Sequence, residues 1–214
     1  LEYLGGEFRT RYGIDVSSFQ GEIDWDAVAD DNIDFAMVRV GFRGTGTGSL
    51  NTDKYYEQNI RGAMRAGLET GVYFFAQAVT VEEAIEEADY VISLLDGLDI
   101  NGPVAYDWEM HDSTYRVYGT SPEMATACAV AFCERIKDAG YTPMVYGGTY
   151  VTYMKYDQGA LADYLSWYPE YKSEKSEKLC PTLVYHMDYW QFSSSRAVAG
   201  INGRVDMNIQ FIRR

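Results

Sequence analysis

Two carboxylates one residue apart, Asp107 and Glu109, close the apolar run Pro103-Val104-Ala105-Tyr106. In an extended strand alternate side chains share a face, so both acids point the same way, with Cα atoms about 6–7 Å apart. Like charges at that spacing push up the pKa of one member and leave a proton donor beside an ionised partner. A charged pair at the end of a buried strand costs stability, and the chemistry it fits is glycoside cleavage.

The elements that must position this pair alternate along the chain. Strands are expected at Tyr12–Ser18, Phe35–Gly41, Gly71–Ala76, 103–109 and Pro143–Gly147. Helices fall between them: Asp24 caps a short one to about Ala29, and another runs from Asp53 to Ala66. Thr80 and Glu83 form a capping box for a third, and Ser121-Pro122 opens a fourth that stops at Gly140. A short segment near Tyr150–Lys155 follows the fifth strand. Tyr164–Tyr168, Val184–Phe192 and Arg204–Ile209 then read as strands with little helix between them. Alternation implies a parallel sheet with helices outside, and eight strands imply closure into a barrel. The fold class expected is α/β, one domain over 12–214, with residues 1–11 a leader or linker.

In such a barrel, active residues sit at the C-terminal ends of strands. Acids expected there are Asp15 on the first strand, Asp107 and Glu109 on the fourth, and Asp206 on the last. First and last strands are neighbours after closure, so Asp15 and Asp206 should approach each other, with the fourth strand across the mouth. Each acid alone has a bland role: Asp15 can cap a turn, and Asp206 can pair with Arg204 or Arg39. Their joint placement is harder to explain as structure.

The rival chemistries fit less well. A hard-cation site could use the same acids with His111 or His186, but neither His has a ligand spacing, so no metal and no cofactor is expected. No Gly-x-Ser-x-Gly elbow is present, and Gly44-Thr45-Gly46-Thr47-Gly48 lacks the Lys-Ser/Thr of a phosphate loop. The net charge of −14 excludes a basic nucleic-acid footprint. No apolar run approaches the ~20 residues of a membrane span. Three cysteines, Cys128, Cys133 and Cys180, cannot form a closed disulfide set, and they leave the compartment open. Nineteen tyrosines, four tryptophans and nine phenylalanines supply both core and sugar-stacking surface.

Four stretches, taken together and in order, carry a resemblance. They are Asp15-Val16-Ser17-Ser18-Phe19-Gln20-Gly21 with Ile23-Asp24-Trp25; Tyr106-Asp107-Trp108-Glu109; Trp190-Gln191-Phe192-Ser193-Ser194; and Gly203-Arg204-Val205-Asp206-Met207-Asn208. The chain resembles the glycoside hydrolase family 25 muramidases, the Chalaropsis-type lysozymes, over about residues 12–214. The resemblance implies an irregular TIM-like (β/α)5β3 barrel. It also implies hydrolysis of the β-1,4 bond between N-acetylmuramic acid and N-acetylglucosamine in bacterial peptidoglycan. On it, Glu109 matches the catalytic acid, and Asp107, Asp15 and Asp206 match supporting carboxylates. Tyr73, Tyr146, Trp167 and Trp190 match groove aromatics, and Arg39 a basic position. The expected partner is the peptidoglycan glycan strand, met by a secreted or wall-associated monomer. Wall-targeting, with no binding repeat in the chain, is either intrinsic to the barrel or carried elsewhere. The chain departs from many members at Phe74, where His is common, and at Pro169, where Ala is common.

In the expected mechanism Glu109 protonates the glycosidic oxygen. The shorter Asp107 stays ionised, either holding the substrate's 2-acetamido group for internal attack or steadying the positive ring. Retaining, inverting and substrate-assisted versions all stay open, because the carboxyl separation that divides them is not in the sequence. A chitinase-like glycosidase and a non-catalytic glycan-binding barrel remain alternatives.

Overall fold

Five strand–helix steps followed by three bare strands are what the chain forms. The computed structural model describes residues 6–172 and 180–214. In order come β1 (Phe8–Val16), α1 (Trp25–Asp30), β2 (Phe35–Arg43), β3 (Leu50–Thr52), α2 (Tyr56–Arg65), β4 (Glu69–Ala76) and α3 (Val81–Leu94). They are followed by β5 (Val104–Trp108), α4 (Pro122–Asp138), β6 (Pro143–Tyr146) and α5 (Thr149–Met154). β7 (Leu165–Pro169), β8 (Tyr189–Arg196) and β9 (Val205–Arg213) complete the chain. Because β1 pairs with both β2 and β9, the eight strands β1-β2-β4-β5-β6-β7-β8-β9 close on themselves. β3 lies outside the ring as an antiparallel partner of β2. Neighbours are parallel around the ring until β9, which runs antiparallel to β8 and to β1.

The period of two along each strand divides the apolar residues into two cores. Phe35, Met37, Ala105, Met144, Tyr146, Trp167 and Tyr189 point inward and fill the barrel. Ala36, Val38, Val72, Phe74, Val104 and Tyr106 point outward and pack beneath the helices with Ala88, Val91, Phe132 and Ile136. Asp107 and Glu109 continue the inward face of Ala105. That face runs out of apolar residues at the top of the barrel, where the acids begin.

Helix starts follow their capping residues. Asp24, Thr80 and Ser121 each accept a hydrogen bond from the backbone N–H three residues on. The Glu83 carboxylate reaches back to the N–H of Val79, one residue beyond the reciprocal partner of a capping box. α2 starts at Tyr56, three residues later than Asp53. The Asp53 carboxylate turns instead to Arg39 and to the N–H groups of Ser18 and Tyr55.

Three expectations are corrected. β1 begins at Phe8, inside the supposed leader, because Phe8–Arg11 pair with Gln210–Arg213 of β9; residues 1–5 lie outside the described residues. The strand expected from Val184 begins only at Tyr189, where pairing with Trp167 of β7 starts. Val184 and His186 alternate correctly but face solvent. Asp206 lies at the start of β9, not at a C-terminal end. It reaches the same mouth as Asp15 because β9 is reversed, and the two acids are direct register partners.

Candidate active site

The mouth of the barrel opens into a cleft of about 410 Å³ lined by Asp15, Arg39, Tyr73, Asp107, Glu109, Tyr146, Trp167 and Asp206. Eight of the nine residues singled out from the sequence therefore meet in one place. Trp190 does not line the cleft: its indole N–H donates to the Glu170 carbonyl (2.9 Å) and its ring contacts Phe192. The period of two explains this, since Tyr189 and Gln191 take the inward positions on β8 and Trp190 the outward one.

The aromatics form a packed floor. Trp167 meets Tyr146 edge-on at 4.8 Å and Tyr73 at 5.9 Å between ring centres. The Trp167 indole N–H donates to Asn208 Oδ1 at 2.8 Å, which fixes the ring. At the rim, the short turn Ser18–Gln20, capped by Ser17, pushes Phe19 into solvent at 85% exposure. The Arg39 guanidinium lies 5.1 Å from the centre of the Phe19 ring. Arg39 is also ion-paired to buried Asp53 at 2.8 Å.

Asp15 is held by two amides. Gln191 Nε2 and Asn208 Nδ2 each donate to its Oδ2 at 2.8 Å. Gln191 also donates to Asp206 at 3.3 Å and accepts from the hydroxyls of Tyr171 (2.7 Å) and Tyr146 (3.2 Å). Despite those amides, burial and then the Asp206 charge push Asp15 up to about 7. Burial and then Glu109 push Asp206 up to about 6.

Asp107 is the buried acid of the central pair. Burial, then the charge of Glu109 and a hydrogen bond to it, raise its pKa well above the usual range. Its Oδ1 is buried without a hydrogen-bond partner. The direction of that shift runs against the expectation that Asp107 stays ionised. Asp107 sits deeper on the strand, where burial favours its neutral form, while Glu109 reaches into the cleft.

Glu109 is positioned from two sides. His111 Nε2 lies 2.9 Å from its carboxylate, and the Gln77 side-chain amide donates to its main-chain carbonyl at 2.7 Å. Gln77 is itself fixed, its N–H donating to Glu87 (3.0 Å) and its carbonyl accepting from Arg116 (2.8 Å). Arg43 pairs with buried Glu87 at 2.7 Å, tying this strut to the helix layer. His186 lies elsewhere, paired with Asp188. Among the described residues no group of three or more His, Cys, Asp or Glu side chains is arranged to hold a metal ion.

Sequence reasoning missed Gln191, Asn208, Gln77 and Tyr171. For two of them a signal was present. Gln191 and Asn208 sit two positions from Tyr189 and Asp206, on the same strand face, as polar residues among apolar neighbours. Gln77 and Tyr171 lie beyond their strands, where no period applies.

The profile of glycosyl hydrolases family 25 matches residues 14–201. This chain belongs to that family. A relative in Clostridium acetobutylicum, an autolytic lysozyme, is 26% identical over 197 residues, which is 92% of this chain and 54% of the relative. The chain therefore spans about half that relative's length. Among solved structures, the modular autolysin LytC of Streptococcus pneumoniae, in complex with a synthetic peptidoglycan ligand, superposes with a TM-score of 0.76 at 26% identity. It covers 95% of this chain and 47% of LytC. The bacterial lysozyme of Streptomyces coelicolor superposes with a TM-score of 0.73 at 25% identity, over 92% of this chain and 90% of that one. Family 25 membership agrees with the barrel.

Proposed function

We propose that this family 25 barrel is an N-acetylmuramidase, hydrolysing the β-1,4 bond between N-acetylmuramic acid and N-acetylglucosamine in peptidoglycan outside the cell or at its wall. The observation that carries the reading is the convergence of Asp15, Asp107, Glu109 and Asp206 over a floor of Tyr73, Tyr146 and Trp167. The aromatics offer faces and edges to sugar rings, and the acids surround the bond to be broken. The lysozyme and autolysin relatives support the same substrate class.

In this mechanism Glu109 is the donor. A proton held by Asp107 passes to Glu109 as the substrate displaces water, and Glu109 delivers it to the glycosidic oxygen as the C1–O bond breaks. Asp107, now ionised, accepts the N–H of the 2-acetamido group, whose carbonyl oxygen closes on C1. Water then attacks C1, giving its proton to Glu109, and the acetamido group is regenerated. The anomeric configuration is retained, as in other substrate-assisted glycosidases. Asp15 and Asp206 steady the positive charge of the ring.

Digestion of purified peptidoglycan, with the new reducing ends identified by mass spectrometry, tests the reading. Muramic acid at those ends is expected. Glucosamine there, or cleavage of chitin alone, overturns it. Glu109→Gln is expected to abolish turnover while leaving the circular dichroism spectrum unchanged; substantial residual turnover would falsify the assignment of the donor.

A further inference from the structure

The cleft is crowded with acids, yet among the described residues only two cations line it, Arg39 and Arg204. Arg39 is committed to Asp53, through Nε at 2.9 Å and Nη2 at 2.8 Å. Arg204 is different. Its guanidinium donates to the main-chain carbonyl of Ser195 at 2.9 Å, and among the described residues no carboxylate lies within ion-pair distance of it. It is exposed at the rim, and its main chain is anchored where Gln20 Nε2 donates to its carbonyl at 3.3 Å. Arg204 stands two residues before Asp206, and both side chains line the cleft.

A neutral amino-sugar polymer needs no cation here. A strand whose alternate sugars each bear an acid does, because the carboxylates of the cleft, when ionised, repel an incoming one. Guanidinium is the group best shaped to receive one, through two parallel N–H donors. We propose that Arg204 is a specificity-determining residue that receives the carboxylate carried on the muramyl 3-O-lactyl arm, either on the arm itself or on the peptide stem attached to it. The inference rests on the muramidase reading and names the group by which this cleft tells a muramyl unit from a glucosaminyl one.

The test compares wild type, Arg204→Gln and Arg204→Lys on three forms of the same glycan. These are strands with intact stems, strands with stems removed by an amidase so that lactyl carboxylates are free, and stem-free strands whose carboxylates are converted to methyl amides. Arg204→Gln is expected to raise KM about tenfold on a carboxylate-bearing strand, with kcat changed less than twofold. It should have no effect on the methyl amides, and Arg204→Lys should restore most of the loss. An effect on stem-free acid strands assigns the lactyl carboxylate; an effect confined to intact strands assigns the stem. Wild-type KM should rise with salt, and that of Arg204→Gln should not. Equal effects on all three strands, or none on any of them, overturn the inference. Wild-type failure to cleave any of the three strands instead overturns the muramidase reading.

Discussion

Replacing Asp15 by Asn should make the protein more stable at alkaline pH while damaging the site. Asp15 is buried, and its pKa is raised from 3.8 to about 7 by burial first and by Asp206 second. The native state therefore keeps a proton over a pH range in which the unfolded chain has lost it. More protons bound in the native than in the unfolded state means that stability falls as pH rises from about 4 through 7. A shift of about 3 units corresponds to ~4 kcal/mol at most, at ~1.4 kcal/mol per unit. Asp206 titrates with Asp15 as one pair, so its own shift does not add in full. Asn is nearly isosteric, and its carbonyl can take the place of Oδ2 as the acceptor for the Gln191 and Asn208 amides, both at 2.8 Å. The variant is then free of the ionisation cost while keeping the hydrogen bonds.

The assay is thermal and urea unfolding of both proteins at pH 4 and pH 8. At pH 4 the two should agree within about 1 kcal/mol. At pH 8 the variant should lead by ~2–4 kcal/mol, roughly 5–15 °C in Tm for a domain of this size. Hydrolytic activity should fall in the same variant, as expected where a functional charge is held against its solvation preference. A Tm difference that does not change between pH 4 and pH 8 would refute the reasoning, as would a variant less stable at pH 8.

Gln77→Leu removes the donor at 2.7 Å to the Glu109 carbonyl and leaves that carbonyl unpaired. Small displacements of a reacting group are costly, so kcat should drop about 10- to 100-fold with KM changed less than threefold; a loss carried by KM alone would show that Gln77 does not position the donor. Arg43→Ala strands buried Glu87, whose pKa is already pushed up to about 7 by burial despite its partner. Urea unfolding should show a loss of ~3–5 kcal/mol at pH 8, mostly recovered in Arg43→Met/Glu87→Met; a loss below 1 kcal/mol in the single variant would contradict the burial argument.

Periodicity and capping made most of the barrel legible, and the reasons are local. Asp24, Thr80 and Ser121 announce helices because the cap is an interaction within four residues. The apolar strands announce themselves because both their faces are covered. β3 escaped because Leu50–Thr52 is too short to show a period, and its partner Gly41–Arg43 is remote from it only through the Gly-rich turn. The site was legible in its residue types but not in its protonation. That Asp107 and Glu109 share a face follows from spacing alone. Which of them holds the proton depends on depth, and depth is set by the strands on either side. Trp190 came from the resemblance alone, and its neighbour Gln191 takes the inward phase. Asp53 looked like the start of a helix and serves instead as the counter-ion of Arg39.

The reversal of β9 explains why so much charge gathers at one mouth. In an all-parallel barrel, the residues that open a strand lie at the far end from the active face. Here the last strand runs the other way, so its opening residues arrive at the mouth where β1 ends. Asp206 thereby pairs in register with Asp15, and both acids share the Gln191 amide. Without the reversal, Asp206 would lie at the opposite end of the barrel, and Asp15 would lose the neighbour whose charge is the second cause of its raised pKa. The same reversal carries Arg204 to the rim two residues earlier. The approach to one antiparallel strand thus brings to the mouth both an acid and a cation that, among the described residues, has no carboxylate within ion-pair distance.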